Sequence, residues 1–130
     1  MAKTHKDLVV WKKGIFLVKL LYQYTQSFPK EELFGLTSQM RRCVISIPSN
    51  IAEGCGRHSE KELLQFLNVA LGSASELETQ LIISNELAYL SKDKFEELCN
   101  LNNEIIKMLI SLANNIRTHT CNLQSVTRNV

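Results

Sequence analysis

A proline stands inside a helical hydrophobic pattern in residues 35–59, GLTSQMRRCVISIPSNIAEGCGRHS, and this stretch constrains the fold more than any other. Leu36, Met40, Cys43, Val44, Ile47 and Ile51 recur at helical spacing and predict one buried face. Ser38, Arg42, Ser49 and Glu53 fall opposite. Pro48 lies within that period, where the lost amide hydrogen bond and the clash with the preceding turn cost about 3 kcal/mol. A kink at Pro48 is expected, with packing contacts that offset its cost. Gly54 and Gly56 are expected to stop the helix in the left-handed cap conformation that glycine adopts readily. Ser59 with Glu62 has the spacing of a capping box for the next helix.

The rest of the chain repeats the helical period. Trp11, Ile15, Val18 and Tyr22 predict one face of a first helix over residues 8–27. Leu17, Leu21, Tyr24 and Phe28 widen its apolar surface beyond the single stripe that a helix of a small monomeric bundle needs. That surplus predicts contact with a second subunit. Pro29 and Gly35 bound a connector before a second helix over 36–54. The third helix, 59–89, carries Leu63, Leu67, Ala70, Ala74, Leu77 and Leu81 as a coiled-coil-like seam. Gly72 lies in a run of small residues expected to let another helix approach closely. Ser91 and Asp93 open a fourth helix over 92–117, with Phe95, Leu98, Leu101, Ile105, Met108, Leu112 and Ile116 on its buried face. The expected fold is all-α: an antiparallel up-down four-helix bundle over residues 1–118, with a flexible tail over 119–130.

Composition narrows the function classes. The 130 residues are 45% apolar and 22% charged, which fits one soluble domain. The net charge is +2, but residues 1–61 hold ten Lys/Arg against five Asp/Glu, and residues 62–130 hold five against eight. This asymmetry permits an acidic ligand on the first half or head-to-tail pairing of subunits. Solvated helix faces of uneven sign explain it equally well. Cys43, Cys55, Cys99 and Cys121 form no CxxC pair, no secretory signal is visible, and no apolar run is long enough for a bilayer. A cytoplasmic protein with free thiols and no membrane contact is expected.

No constellation points to catalysis. No cysteine or serine has a patterned histidine and acid around it, and the acidic pairs are ordinary helix-face charges. Cys55 and His58 are two ligands, short of a metal site, and His5, His58 and His119 lack paired helical spacing, so neither metal nor cofactor is expected. Lys12, Lys13, Lys19, Arg41, Arg42, Arg57 and Lys61 are the candidates for contact with nucleic acid or another anion. The competing reading, which we favour, gives Arg41 and Arg42 structural salt bridges to Glu53, Glu76 or Glu78, within or between subunits. The turn over residues 54–59, with Arg57, His58 and Lys61 near the amides of the third helix, is a second anion candidate. A glycine stop followed by a serine cap is the favoured reading there. Trp11, Pro48, Gly54, Gly56, Ser59 and Gly72 are assigned to structure or subunit contact.

Motifs add a resemblance. They are Asp7-Leu8-Val9-Val10-Trp11-Lys12-Lys13, Phe28-Pro29, Phe34-Gly35-Leu36-Thr37-Ser38-Gln39, Arg41-Arg42, the Ser46–Gly54 run SIPSNIAEG, and Gly56-Arg57. Phe66-Leu67, Ala70, Gly72-Ser73 and Glu76-Leu77-Glu78-Thr79-Gln80 complete the series. Over residues 5–115 the chain resembles the four-helix-bundle proteins encoded in intervening sequences of bacterial 23S rRNA genes. The resemblance implies a ring-like homopentamer without established catalytic activity. A similar protein is an accessory factor of diversity-generating retroelements, working with a reverse transcriptase and binding nucleic acid.

Two functional expectations follow, neither enzymatic. The first is a homo-oligomeric assembly or adaptor protein, its partner another copy of itself, supporting a nucleic-acid or mobile-element process. The alternative is direct binding of RNA or DNA through the basic residues of the first two helices.

Overall fold

The computed structural model of the chain describes residues 4–128, with side chains to residue 118. Four helices form: α1 (Val9–Thr25), α2 (Leu36–Cys55), α3 (Glu60–Glu86) and α4 (Lys92–Arg128). Short 3-10 turns at His5–Asp7 and Lys30–Glu32 precede α1 and α2, and no strand occurs among the described residues. Each helix packs on its neighbours in sequence, α4 closes back on α1, and the backbones of the diagonal pairs α1/α3 and α2/α4 do not approach closely. With connectors this short, that neighbour order is an up-down bundle.

The core follows the periods read from the sequence, with one displacement. Leu17 and Leu21 of α1, Met40, Val44, Ile47 and Ile51 of α2, and Leu67, Leu77 and Leu81 of α3 are fully buried. Leu98, Ile105 and Leu109 complete the core from α4. Each such side chain contributes about 1.5–3 kcal/mol by leaving water. The buried stripe of α1 is Val10, Gly14, Leu17 and Leu21, one position round from the expected one. Trp11 and Val18 are half-buried, and Ile15 and Tyr22 are exposed. Glycine explains the shift. A Cβ on Gly14 would stand 3.3 Å from Cβ of Pro48, so α1 meets α2 where a hydrophobicity pattern registers nothing.

α2 continues through Pro48 as one helix, with Pro48 buried. Gly54 lies within α2, and Gly56 caps it at φ −85°, in the right-handed region, so the expected left-handed stop does not form. The need for Gly54 is space. A Cβ there would lie 3.0 Å from both Leu63 Cδ1 and Phe66 Cβ, across the corner to α3. Ser59 caps α3 by accepting from the Glu62 amide at 3.1 Å. The reciprocal half of the box differs: the Ser59 hydroxyl donates to the Glu62 carboxylate at 3.3 Å. α2 approaches the small-residue run at Ser73, whose hydroxyl lies 2.8 Å from that of Ser46, whereas no neighbouring atom among the described residues comes within 4 Å of a Cβ on Gly72.

α3 ends three residues earlier than expected. Ala88 takes φ 62°, and the amides of Ala88 and Tyr89 bond to the carbonyls of Asn85 and Ser84. This is a left-handed C-terminal cap built without glycine. Ser91 starts α4 by accepting from the Lys94 amide at 3.3 Å. α4 passes the expected limit near Arg117 and is helical to Arg128, so most of the segment expected as a flexible tail is helix. Extending a formed helix costs far less than nucleating one, so a weakly apolar sequence suffices there. Residues 129–130 lie outside the described residues.

Candidate functional site

The seven candidate cations do not converge. Arg41 is half-buried and ties α2 to the end of α1. Its Nε donates to Thr25 Oγ1 at 3.0 Å and its Nη2 to the Tyr22 carbonyl at 3.5 Å. The guanidinium also lies 4.6 Å over the Tyr22 ring. These contacts place a positive charge at the negative end of the α1 dipole. Within the chain Arg41 makes structural contacts through a hydroxyl, a carbonyl and a ring, and it has no carboxylate partner among the described residues. Arg57 pairs with Glu53 at 3.1 Å, stands 4.0 Å from Glu62 and covers the Phe66 ring at 4.7 Å. The α2–α3 corner therefore supplies its own anions. Lys13 bridges α1 to α4 through Glu104 at 2.7 Å.

Lys12, Lys19, Arg42 and Lys61 are exposed and make no ion pair among the described residues. Lys12 and Lys19 flank Phe16 on the outward side of α1, where Phe16 is 49% exposed. Arg42 borders a separate polar groove between α2 and α3 with Gln39, Ser46, Ser73 and Glu76. Within the chain, neither Arg41 nor Arg42 bridges to Glu53, Glu76 or Glu78 among the described residues, and Glu53 is engaged by Arg57.

An apolar surface is left open as well. Trp11, Ile15 and Val18 of α1 face Ile45, Pro48 and Ala52 of α2 across a groove of about 290 Å³. Ile15 is 44% exposed and Ile45 41%. His5 closes one end, its ring edge-on to Trp11 at 5.2 Å between centroids. The floor exists because Gly14 lets α1 descend onto Pro48. The wall of this groove is the α1 stripe expected to be buried, while Leu17, Leu21 and Phe28, expected as the surplus, lie in the core. Sequence reading did not single out Gly14 or Ile45. Gly14 could have been found as the one glycine inside the apolar period of α1.

Chemistry-bearing groups are held in structural contacts. The Cys43 thiol donates to the Ser73 carbonyl at 2.9 Å and lies 3.6 Å from the Glu76 carboxylate. Burial, reinforced by that carboxylate, pushes its pKa up to about 12, so it is no nucleophile near neutrality. Burial also raises Cys55 and Cys99. Tyr24 donates to Glu97 and Tyr89 to Glu32, bonds that raise both phenols and pin α4 and the α3–α4 connector to the first half of the chain. No group of three His, Cys, Asp or Glu side chains suited to a metal occurs among the described residues. No helix among them is long and apolar enough to cross a membrane.

No curated protein matches the chain. A solved structure does: a protein of unknown function from the S23 ribosomal protein family of Bacteroides thetaiotaomicron, 30% identical. The match covers 82% of this chain and 96% of that one, with a TM-score of 0.74. The family described as 23S rRNA-intervening sequence protein matches residues 6–111, a span holding both walls of the α1/α2 groove, all seven candidate cations and about half of α4, and the chain belongs to that family.

Proposed function

We propose that this protein is a non-enzymatic assembly protein, which self-associates into a ring of five copies and acts as an adaptor in a nucleic-acid or mobile-element process. The α1/α2 groove carries this reading. Its apolar walls, with Ile15 and Ile45 more than two-fifths exposed, leave surface that a monomer has no use for. A second copy is the occupant, because the two halves of the chain are opposite in charge. The half bearing the groove has twice as many basic as acidic residues, and the other half is acidic. A ring needs a contact between two different patches, and unlike charge on the two halves favours it over a self-complementary dimer. Light scattering coupled to size exclusion at micromolar concentration tests it. The expected mass is about five times that of the 14.8 kDa chain, and a monomer mass would sink the reading.

Direct contact with RNA or DNA is the second reading, favoured by the two unpaired lysines that flank Phe16. Repeated around a ring, Lys12 and Lys19 would act with avidity. Affinity should then fall steeply with added salt and drop further in a Lys12→Ala, Lys19→Ala double variant.

A further inference from the structure

Between the end of α1 and the start of α2 lies a cavity of about 270 Å³, separate from the α1/α2 groove. Phe28, Pro29 and Leu33 give it an apolar side, while Lys30 and Arg41 border it with positive charge and no carboxylate side chain lines it. Neither cation has an acidic partner among the described residues. Arg41 is already oriented by Thr25 and Tyr22 through Nε and Nη2, and its Nη1 has no hydrogen-bond partner among the described residues.

Thr37 lines the same cavity. It is 3% exposed, and its Oγ1 has no hydrogen-bond partner. A buried hydroxyl left in that condition costs about 1–3 kcal/mol. Thr37 also belongs to the first turn of α2, which has no side-chain cap from its N-cap residue Gly35. Glu32 takes the Leu36 amide at 3.4 Å, and the amides of Thr37 and Ser38 have no acceptor among the described residues. The positive end of the α2 dipole therefore meets the cavity at the residue with the unsatisfied hydroxyl.

We propose that this cavity binds a small carboxylate carried on a short apolar tail. Arg41 and Lys30 take the carboxylate, Thr37 donates its hydroxyl, and the tail lies on Phe28, Pro29 and Leu33. A guanidinium held by two of its nitrogens presents its remaining edge to a carboxylate with little entropy to lose. Inorganic phosphate fits less well, since one side of the cavity has no donors. The carboxylate has two sources, a free acid or the C-terminus of a polypeptide, and both present the same group.

Backbone amide shifts of the full-length protein report binding directly. Titration with sodium hexanoate should shift the Leu33, Thr37, Ser38 and Arg41 amides saturably, and hexanamide should not. Arg41→Gln should weaken binding about tenfold, the loss of one charge-assisted contact. Because Arg41 also ties α1 to α2, Lys30→Met carries the test if that variant does not fold. Lys30 is exposed, and its replacement should weaken binding several-fold. An acetylated tetrapeptide ending in a free leucine carboxylate, bound more tightly than hexanoate and lost on amidation, would assign the source to a polypeptide terminus. Weaker binding than hexanoate would assign it to a free acid. The proposal is overturned if hexanoate shifts none of these amides, if hexanamide or inorganic phosphate matches it, or if Lys30→Met binds unchanged. These readouts do not depend on assembly, so failure here leaves the oligomer reading standing.

Discussion

Ala88 carries the only positive φ among the described residues, and an L side chain pays for that conformation where glycine would not. Its side chain is exposed, so nothing is lost by removing it. Ala88→Gly should stabilise the fold by about 1 kcal/mol, seen as a higher urea midpoint at unchanged slope. Cys43 makes a prediction in pH. The folded state holds a thiol proton up to about pH 12, whereas an unperturbed cysteine releases it near 9.0. The unfolded chain therefore binds fewer protons above pH 9, and stability should be level below that value and fall as pH rises through the window. Cys55 and Cys99 are raised too, so the Cys43 share is read as a difference. Cys43→Ala should flatten the alkaline decline of the unfolding free energy by no more than about 1.4 kcal/mol per pH unit. An unchanged slope would mean that the thiol does not hold its proton in the fold.

Two glycines on adjacent helices should respond oppositely to the same substitution. Gly54→Ala pushes a methyl group to 3.0 Å from Leu63 and Phe66 at the α2–α3 corner and should cost about 1–3 kcal/mol. Gly72→Ala places its methyl group in open space inside α3 and should gain about 1 kcal/mol, with no change in oligomer mass. Paired denaturation curves check both, and a mass change in the Gly72 variant would show that a second copy packs on that face. Both glycines were visible in the sequence, but their roles were not. A stop was expected at Gly54 because glycine permits a left-handed turn, and what the site uses is the missing Cβ. The α3 terminus was misplaced for the converse reason, since its left-handed cap falls on alanine, which carries no such signal. Trp11, Ile15 and Val18 mislead in a related way. They outweigh Gly14 on any hydrophobicity scale, yet Gly14 is the residue that α2 reaches.

At the scale of the molecule, the neighbour order of the helices was legible because each helix carries an apolar stripe and the connectors are short. The fate of the basic residues was not. Arg41 is held by Thr25 and Tyr22, sixteen and nineteen positions away on another helix, and no periodicity within α2 encodes that pairing. What remains after the internal pairings is a groove in search of a partner, and its walls can be changed without touching the core. Ile15 and Ile45 face each other across it from α1 and α2, and both are substantially exposed. An Ile15→Asp, Ile45→Asp double variant should therefore keep its helical circular dichroism and its cooperative unfolding. If a second copy fills the groove, two carboxylates buried without partners would each cost several kcal/mol in the assembly and little in the monomer. The variant should then elute at the mass of one chain under conditions where the parent protein is assembled. Retention of the parent mass would remove the α1/α2 groove from the subunit contact and direct the search to the exposed apolar residues elsewhere, beginning with Phe34 at 94% exposure.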